Sequence, residues 1–77
     1  MIYRPRLRRK DVPQYLAEKF GLPITKSTLA KMAVNGGGPR MEYYGRFPLY
    51  RLEDLDTWAS ERLSLPVYST AERQAHQ

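Results

Sequence analysis

The residues of this chain that could do chemistry are mostly cations and hydroxyls. The sequence holds thirteen Lys or Arg, eight Asp or Glu, a single His and no Cys. Without a thiol or a second imidazole, His76 can complete neither a zinc site nor a nucleophile–base pair. Glu53, Asp54 and Asp56 are a carboxylate cluster, but they crowd the first turn of a helical pattern, where acidic side chains complement the helix dipole. Gly36, Gly37 and Gly38 are followed by no lysine in P-loop register, which argues against nucleotide binding. These observations point away from an enzyme and predict no metal and no cofactor. What remains is positive charge, and it is unevenly placed. Residues 1–51 hold eleven Lys or Arg against three Asp or Glu, whereas residues 52–77 hold two against five. A chain with one strongly basic part suits a polyanion.

The basic and hydroxyl residues fall into three groups. Lys26, Ser27, Thr28 and Lys31 are spaced to share the outward side of a short helix. A lysine there can reach guanine O6 and N7, and Ser or Thr can bond either kind of base edge. Tyr44, Gly45 and Arg46 form a turn from which Arg46 can enter a minor groove, drawn by its negative potential, with Tyr43 or Tyr44 either against the sugar-phosphate backbone or in the core. Arg40, just after Pro39, is placed for a phosphate. Arg4, Arg6, Arg8, Arg9 and Lys10 are the densest cluster, and as an arm they could track phosphates or enter a minor groove.

Several elements must position these groups. Residues 1–9 read as a basic N-terminal arm; Pro5 opposes a helix there, and Leu7 is the first residue expected to be buried. Residues 10–20 read as a helix with Asp11 as N-cap, Pro13 in the first turn, and Val12, Tyr15, Leu16 and Phe20 on one apolar face. Gly21 stops it. Residues 22–25 form a turn, with Ile24 set between two helices. Thr25 caps a second helix over 26–34, whose Leu29, Met32 and Ala33 face inward, and the run from Asn35 to Pro39 ends it. Residues 40–50 alternate as a two-stranded hairpin in which Pro48 requires an edge. A third helix over 53–63 buries Leu52, Leu55, Trp58, Ala59 and Leu63, with Trp58 as the expected anchor of the core. Residues 64–77 read as a tail, disordered or docked on a partner.

Two short helices joined by a tight turn fit a helix-turn-helix unit, and a following hairpin fits a wing. The expected fold is mainly α with a small β-hairpin: a winged helix-turn-helix domain over 10–63, in the order helix-helix-hairpin-helix. The second helix is then the recognition helix, its first turn directed at base edges in the major groove.

The helix pair, followed by Gly38-Pro39-Arg40-Met41, Tyr44-Gly45-Arg46, Leu49-Tyr50-Arg51 and Asp54-Leu55-Asp56-Thr57-Trp58, resembles the AlpA and excisionase-like family. That resemblance spans about residues 7–63, leaving out the arm and the tail. It implies a MerR-like DNA-binding fold without catalysis. It further implies a recombination directionality factor that binds beside the attachment site of a mobile element, bends the DNA and turns an integrase towards excision. An alternative within the family is a transcriptional regulator of such an element.

A domain this small makes few base contacts, so an excisionase-type reading also expects cooperative binding. The partners are double-stranded DNA, neighbouring copies in a head-to-tail array, and a site-specific integrase. A reading from another class is a small protein-interaction module, such as an anti-repressor, using its charge against an acidic protein. RNA is set behind DNA because the aromatic residues, spread over hairpin and helices, suggest no stacking platform. No apolar run is long enough to span a bilayer, and the basic N-terminus lacks the apolar stretch of a signal peptide. A soluble, cytoplasmic protein is expected.

Overall fold

A computed structural model describes residues 5–63 together with 66, 68 and 69. Strand β1 (Arg6–Arg8) runs into a 3-10 turn (Arg9–Asp11) and helix α1 (Val12–Phe20). Helix α2 (Lys26–Asn35), strands β2 (Glu42–Tyr44) and β3 (Phe47–Arg51) and helix α3 (Leu52–Arg62) follow. The result is a small α+β domain in which three helices pack with a three-stranded antiparallel sheet of order β1-β3-β2.

The sheet corrects the sequence-based expectation in two ways. The hairpin has a third strand, and that strand comes from the segment expected to be a basic arm. Arg6, Leu7 and Arg8 stand opposite Arg51, Tyr50 and Leu49, and the Leu52 N–H extends the pairing by donating to the Pro5 carbonyl at 3.3 Å. The cause is apolar. Leu7 and Tyr50 face each other across the ladder, both nearly fully buried, and burying a leucine side chain is worth about 1.5–3 kcal/mol. The second correction concerns Pro48, which lies in the central strand and not at an edge. It is tolerated because β1 pairing stops at Leu49, one residue short of it. On its other side Pro48 faces Tyr43, next to the Tyr44–Phe47 pair that closes the turn. Alternation makes Tyr43–Pro48 the pair that needs no N–H from the proline. Gly45 (φ 62°) takes the first of the two turn positions, the place where a tight hairpin turn of type II′ requires a positive φ.

Helix α1 buries Val12, Tyr15 and Leu16, with Phe20 partly covered. Asp11 precedes it, but its side chain makes no capping bond, because the 3-10 turn already leads the chain into the helix. The C-terminus closes in an αL motif: Gly21 (φ 65°) donates to the Ala17 carbonyl at 3.0 Å, and Leu22 donates further back, to the Leu16 carbonyl at 3.2 Å. The motif also turns Leu22 into the core. Leu29 is the buried residue of α2, with Met32 and Ala33 partly covered. Helix α3 contributes Leu55 and Ala59. Leu63, expected in its buried stripe, is about half exposed, since α3 ends at Arg62. Trp58 is also not the centre of the core. Tyr15 and Tyr50 are the largest fully buried side chains, and Trp58 packs on the rim.

Among the described residues no helix is long and apolar enough to cross a membrane.

Candidate nucleic-acid interface

The site is assembled around α2. Thr25 caps this helix, its hydroxyl oxygen accepting from the Thr28 N–H at 3.1 Å, and the Thr25 hydroxyl donates to that of Thr28 at 2.9 Å. Ser27 shares a hydrogen bond with Thr25 at 3.2 Å. The hydroxyls of the first turn therefore form one exposed cluster. At about 100° per residue, Ser27, Lys31 and Val34 lie within about 60° of one another, on the side opposite buried Leu29. All three are exposed, Val34 to 85%. An apolar side chain so exposed beside a lysine and a hydroxyl was not among the sequence candidates; its place in the same row as Lys31 was the available signal.

A second side of α2 is turned to the hairpin. Lys26 joins Arg8, Arg9, Lys10 and Pro48 around a concavity of about 180 Å³. Six and seven residues on, about 9–10 Å along the helix, Met32 and Ala33 join Gly37, Gly38, Arg40 and Tyr43 around a second one of about 370 Å³. Tyr43 and Pro48 are direct cross-strand partners, so their side chains leave the same sheet face. The two concavities open on this same sheet face, each with residues of α2 on one side and one member of the Tyr43–Pro48 pair on the other, and together they are called the cleft. Among the described residues no carboxylate lines either concavity.

The basic residues divide by what holds them. Arg6 Nε bonds Glu42 Oε1 at 2.7 Å, its charge balanced on the outer sheet face. Arg9 donates from Nε to the Tyr50 hydroxyl at 3.0 Å and lies near Met41 Sδ at 3.9 Å; it ties the 3-10 turn to β3. Arg51 is held by Asp54 at 2.9 Å, and the same carboxylate keeps its proton bound more tightly than usual. Arg8 lies over the Phe47 ring at 4.5 Å, which orients the guanidinium without neutralising it. Among the described residues Arg8, Lys10, Lys26, Lys31, Arg40 and Arg46 make no ion pair.

The structure therefore gathers Lys26 with Arg8, Arg9 and Lys10, and Arg40 with Tyr43. Lys31, Tyr44 and Arg46 line neither concavity. Lys31 is on the outward row of α2. Arg46 occupies the hairpin turn, flanked by the exposed Tyr44–Phe47 pair. Arg4 and His76 lie outside the described residues, as does most of the 64–77 segment. Within the segment expected to be an arm, Arg6–Arg8 form an ordered strand and Arg9–Asp11 a 3-10 turn, so Arg8 and Lys10 are held in fixed positions.

One part of the site had no sequence signal. Trp58 Nε1 donates to the Gly37 carbonyl at 2.9 Å, and Arg62 Nη2 donates to the same oxygen. Arg62 also lies 5.3 Å from the Trp58 ring. Two α3 side chains thus grip the loop that joins α2 to the hairpin.

Architecture and site define a small α+β domain with a basic cleft between a capped helix and a hairpin. No family model matches the chain, and no curated protein matches it.

Proposed function

We propose that this chain is a DNA-binding domain of the winged helix-turn-helix kind, with α2 as its recognition helix and the β2–β3 hairpin as its wing. The observation that carries the reading is the cleft. Cationic residues of α2 (Lys26), β1 (Arg8) and the 3-10 turn (Arg9 and Lys10) line one concavity that no carboxylate among the described residues lines. Clustered cations cost electrostatic energy unless an anion relieves it, and a phosphodiester backbone supplies evenly spaced anions. An additional strand before the helix pair is compatible with the reading, because it braces the hairpin from the side away from β2.

Within this reading the resemblance carried by Gly38-Pro39-Arg40, Tyr44-Gly45-Arg46 and Asp54-Leu55-Asp56-Thr57-Trp58 favours an excisionase-type role. Copies bound side by side would bend DNA near an attachment site and direct an integrase towards excision. A promoter-binding regulator uses the same surface.

The test is direct. Fluorescence anisotropy with labelled duplex DNA should show binding at low salt that weakens steeply as salt rises. Absence of duplex binding at low salt would overturn the proposal and leave a protein-interaction module as the better account. Integrase-dependent excision in cells, with wild type and Arg46→Ala, then separates excision from transcription control.

A further inference from the structure

The grip of α3 on the glycine loop has a chemical consequence on the loop's other side. A peptide unit is planar, and in its trans form the carbonyl and the following N–H point in opposite directions. No peptide bond among the described residues is cis. With the Gly37 carbonyl held by Trp58 and Arg62, the N–H of Gly38 is aimed away from α3. It has no hydrogen-bond acceptor among the described residues. Gly38 lines the larger concavity with Arg40, and neither Trp58 nor Arg62 reaches that lining. The next residue, Pro39, has no N–H, so Gly38 carries the last main-chain donor before Arg40.

Glycine is required at this point by sterics as well. A Cβ on Gly38 would stand 2.9 Å from Met32 Cβ, and Gly37 has a φ of 91°, a region that side chains avoid. The loop is therefore fixed at three points: by Trp58 and Arg62 on one side and by close approach to Met32 on the other. A donor with no partner, fixed in a concavity that the unpaired Arg40 also lines and that no described carboxylate lines, suits a singly charged oxyanion.

We propose that Gly38 N–H and Arg40 form a seat for one phosphodiester of bound duplex DNA, with Trp58 and Arg62 as positioning residues. This rests on the DNA-binding reading and adds an atom-level contact to it. The seat holds the backbone at the C-terminal end of α2, while Lys26, Arg8 and Lys10 hold it at the N-terminal end. Two such holds fix how the helix lies in the groove, since phosphate contacts set register without reading sequence.

The test uses the full chain, labelled with 15N, and a duplex of about twenty base pairs at low salt. On binding, exchange of the Gly38 amide proton with solvent should slow, and a through-hydrogen-bond coupling from its nitrogen to 31P should identify the acceptor as a phosphate. Trp58→Phe removes one donor to the Gly37 carbonyl and keeps a ring. It should weaken duplex binding about threefold to tenfold, the effect of one hydrogen bond, and lose the Gly38 protection while amides of β1 keep theirs. Arg40→Ala leaves the α3 grip intact and should lower the salt slope by about 0.9. If the duplex binds but Gly38 exchange is unchanged, the seat is disproved while the DNA-binding reading stands. If no duplex binds, both fall together.

Discussion

The Tyr15 hydroxyl donates to Asp56 Oδ1 at 2.5 Å, and Lys19 Nζ donates to Asp56 Oδ2 at 2.8 Å. This pair of contacts closes α1 onto α3 at the edge of the core. It also takes Lys19 and Asp56 out of the charge available to a ligand. Tyr15 is buried along its ring, so the hydroxyl's partner matters for the packing of the whole side chain.

The first prediction concerns alkaline stability. Burial raises the Tyr15 pKa above its ordinary 10.0, and the bond to Asp56 adds to the rise while Lys19 opposes it. Lys19 is raised above 10.5, first by its bond to Asp56 and then by the one to Tyr15. Both groups hold their protons in the folded state where the unfolded chain would lose them. The stability this brings is complete below about pH 10 and is lost as pH rises through the folded values. Urea unfolding should therefore weaken above pH 10. Tyr15→Phe should cost about 1 kcal/mol at neutral pH and flatten part of the alkaline decline. An unchanged alkaline profile in that variant would count against the assignment.

A second prediction separates a structural strand from a mobile arm. Leu7 is 5% exposed and stands opposite Tyr50. Leu7→Ala should cost about 2–5 kcal/mol, the range for emptying a buried leucine site. In a domain of this size that is a large fraction of the total. Arg8→Ala, on an exposed position of the same strand, should leave the melting temperature within a few degrees and act on DNA binding instead. If Leu7→Ala melts like wild type, β1 contributes no core.

How much of this was legible depends on distance along the chain. The Gly21 stop, the Thr25 cap and the burial of Val12, Tyr15, Leu16 and Leu29 follow from local rules, and the sequence displays them. Strand β1 does not: three residues with two arginines carry no strand pattern, and only pairing with Tyr50 at the far end of the hairpin makes them one. Pro48 was misplaced for the same reason, since the end of β1 decides whether its missing N–H matters. In the site, the groups Lys26–Lys31 and Arg40 were visible as charge. The neutralisation of Arg6 by Glu42 and the hold of Trp58 and Arg62 on Gly37 arise from tertiary contacts that no local spacing reports.

The third prediction follows from which cations are balanced. Eight of the described cations make no ion pair, and two of these, Arg9 and Arg62, are held by neutral acceptors. If about five or six phosphates are neutralised, log K should fall against log salt with a slope of about −5. Lys26→Ala and Arg8→Ala should each reduce the magnitude by about 0.9. Arg6→Ala should change it little, because Glu42 already holds that guanidinium at 2.7 Å. Glu42→Ala should steepen the slope by releasing it. Equal effects of Arg6→Ala and Arg8→Ala would show that the ion pair opens on binding.

The last prediction asks which side of α2 reads bases. Ser27, Lys31 and Val34 form the outward row, all exposed. Lys26 is turned to the cleft with Arg8 and Lys10. A helix lying in the major groove presents its outward row to base edges, where a lysine can bond guanine and an apolar group can meet a thymine methyl. The cleft side then faces the backbone at the groove's rim. Sequences selected from a random pool by wild type and by variants would separate the two. Lys31→Ala and Val34→Ser should relax preference at one or two positions, each lost contact worth about 1–3 kcal/mol of discrimination. Lys26→Ala should lower affinity for every duplex alike, with the preferred sequence unchanged. The reverse pattern, with specificity following Lys26, would place the cleft and not the outward row against the bases.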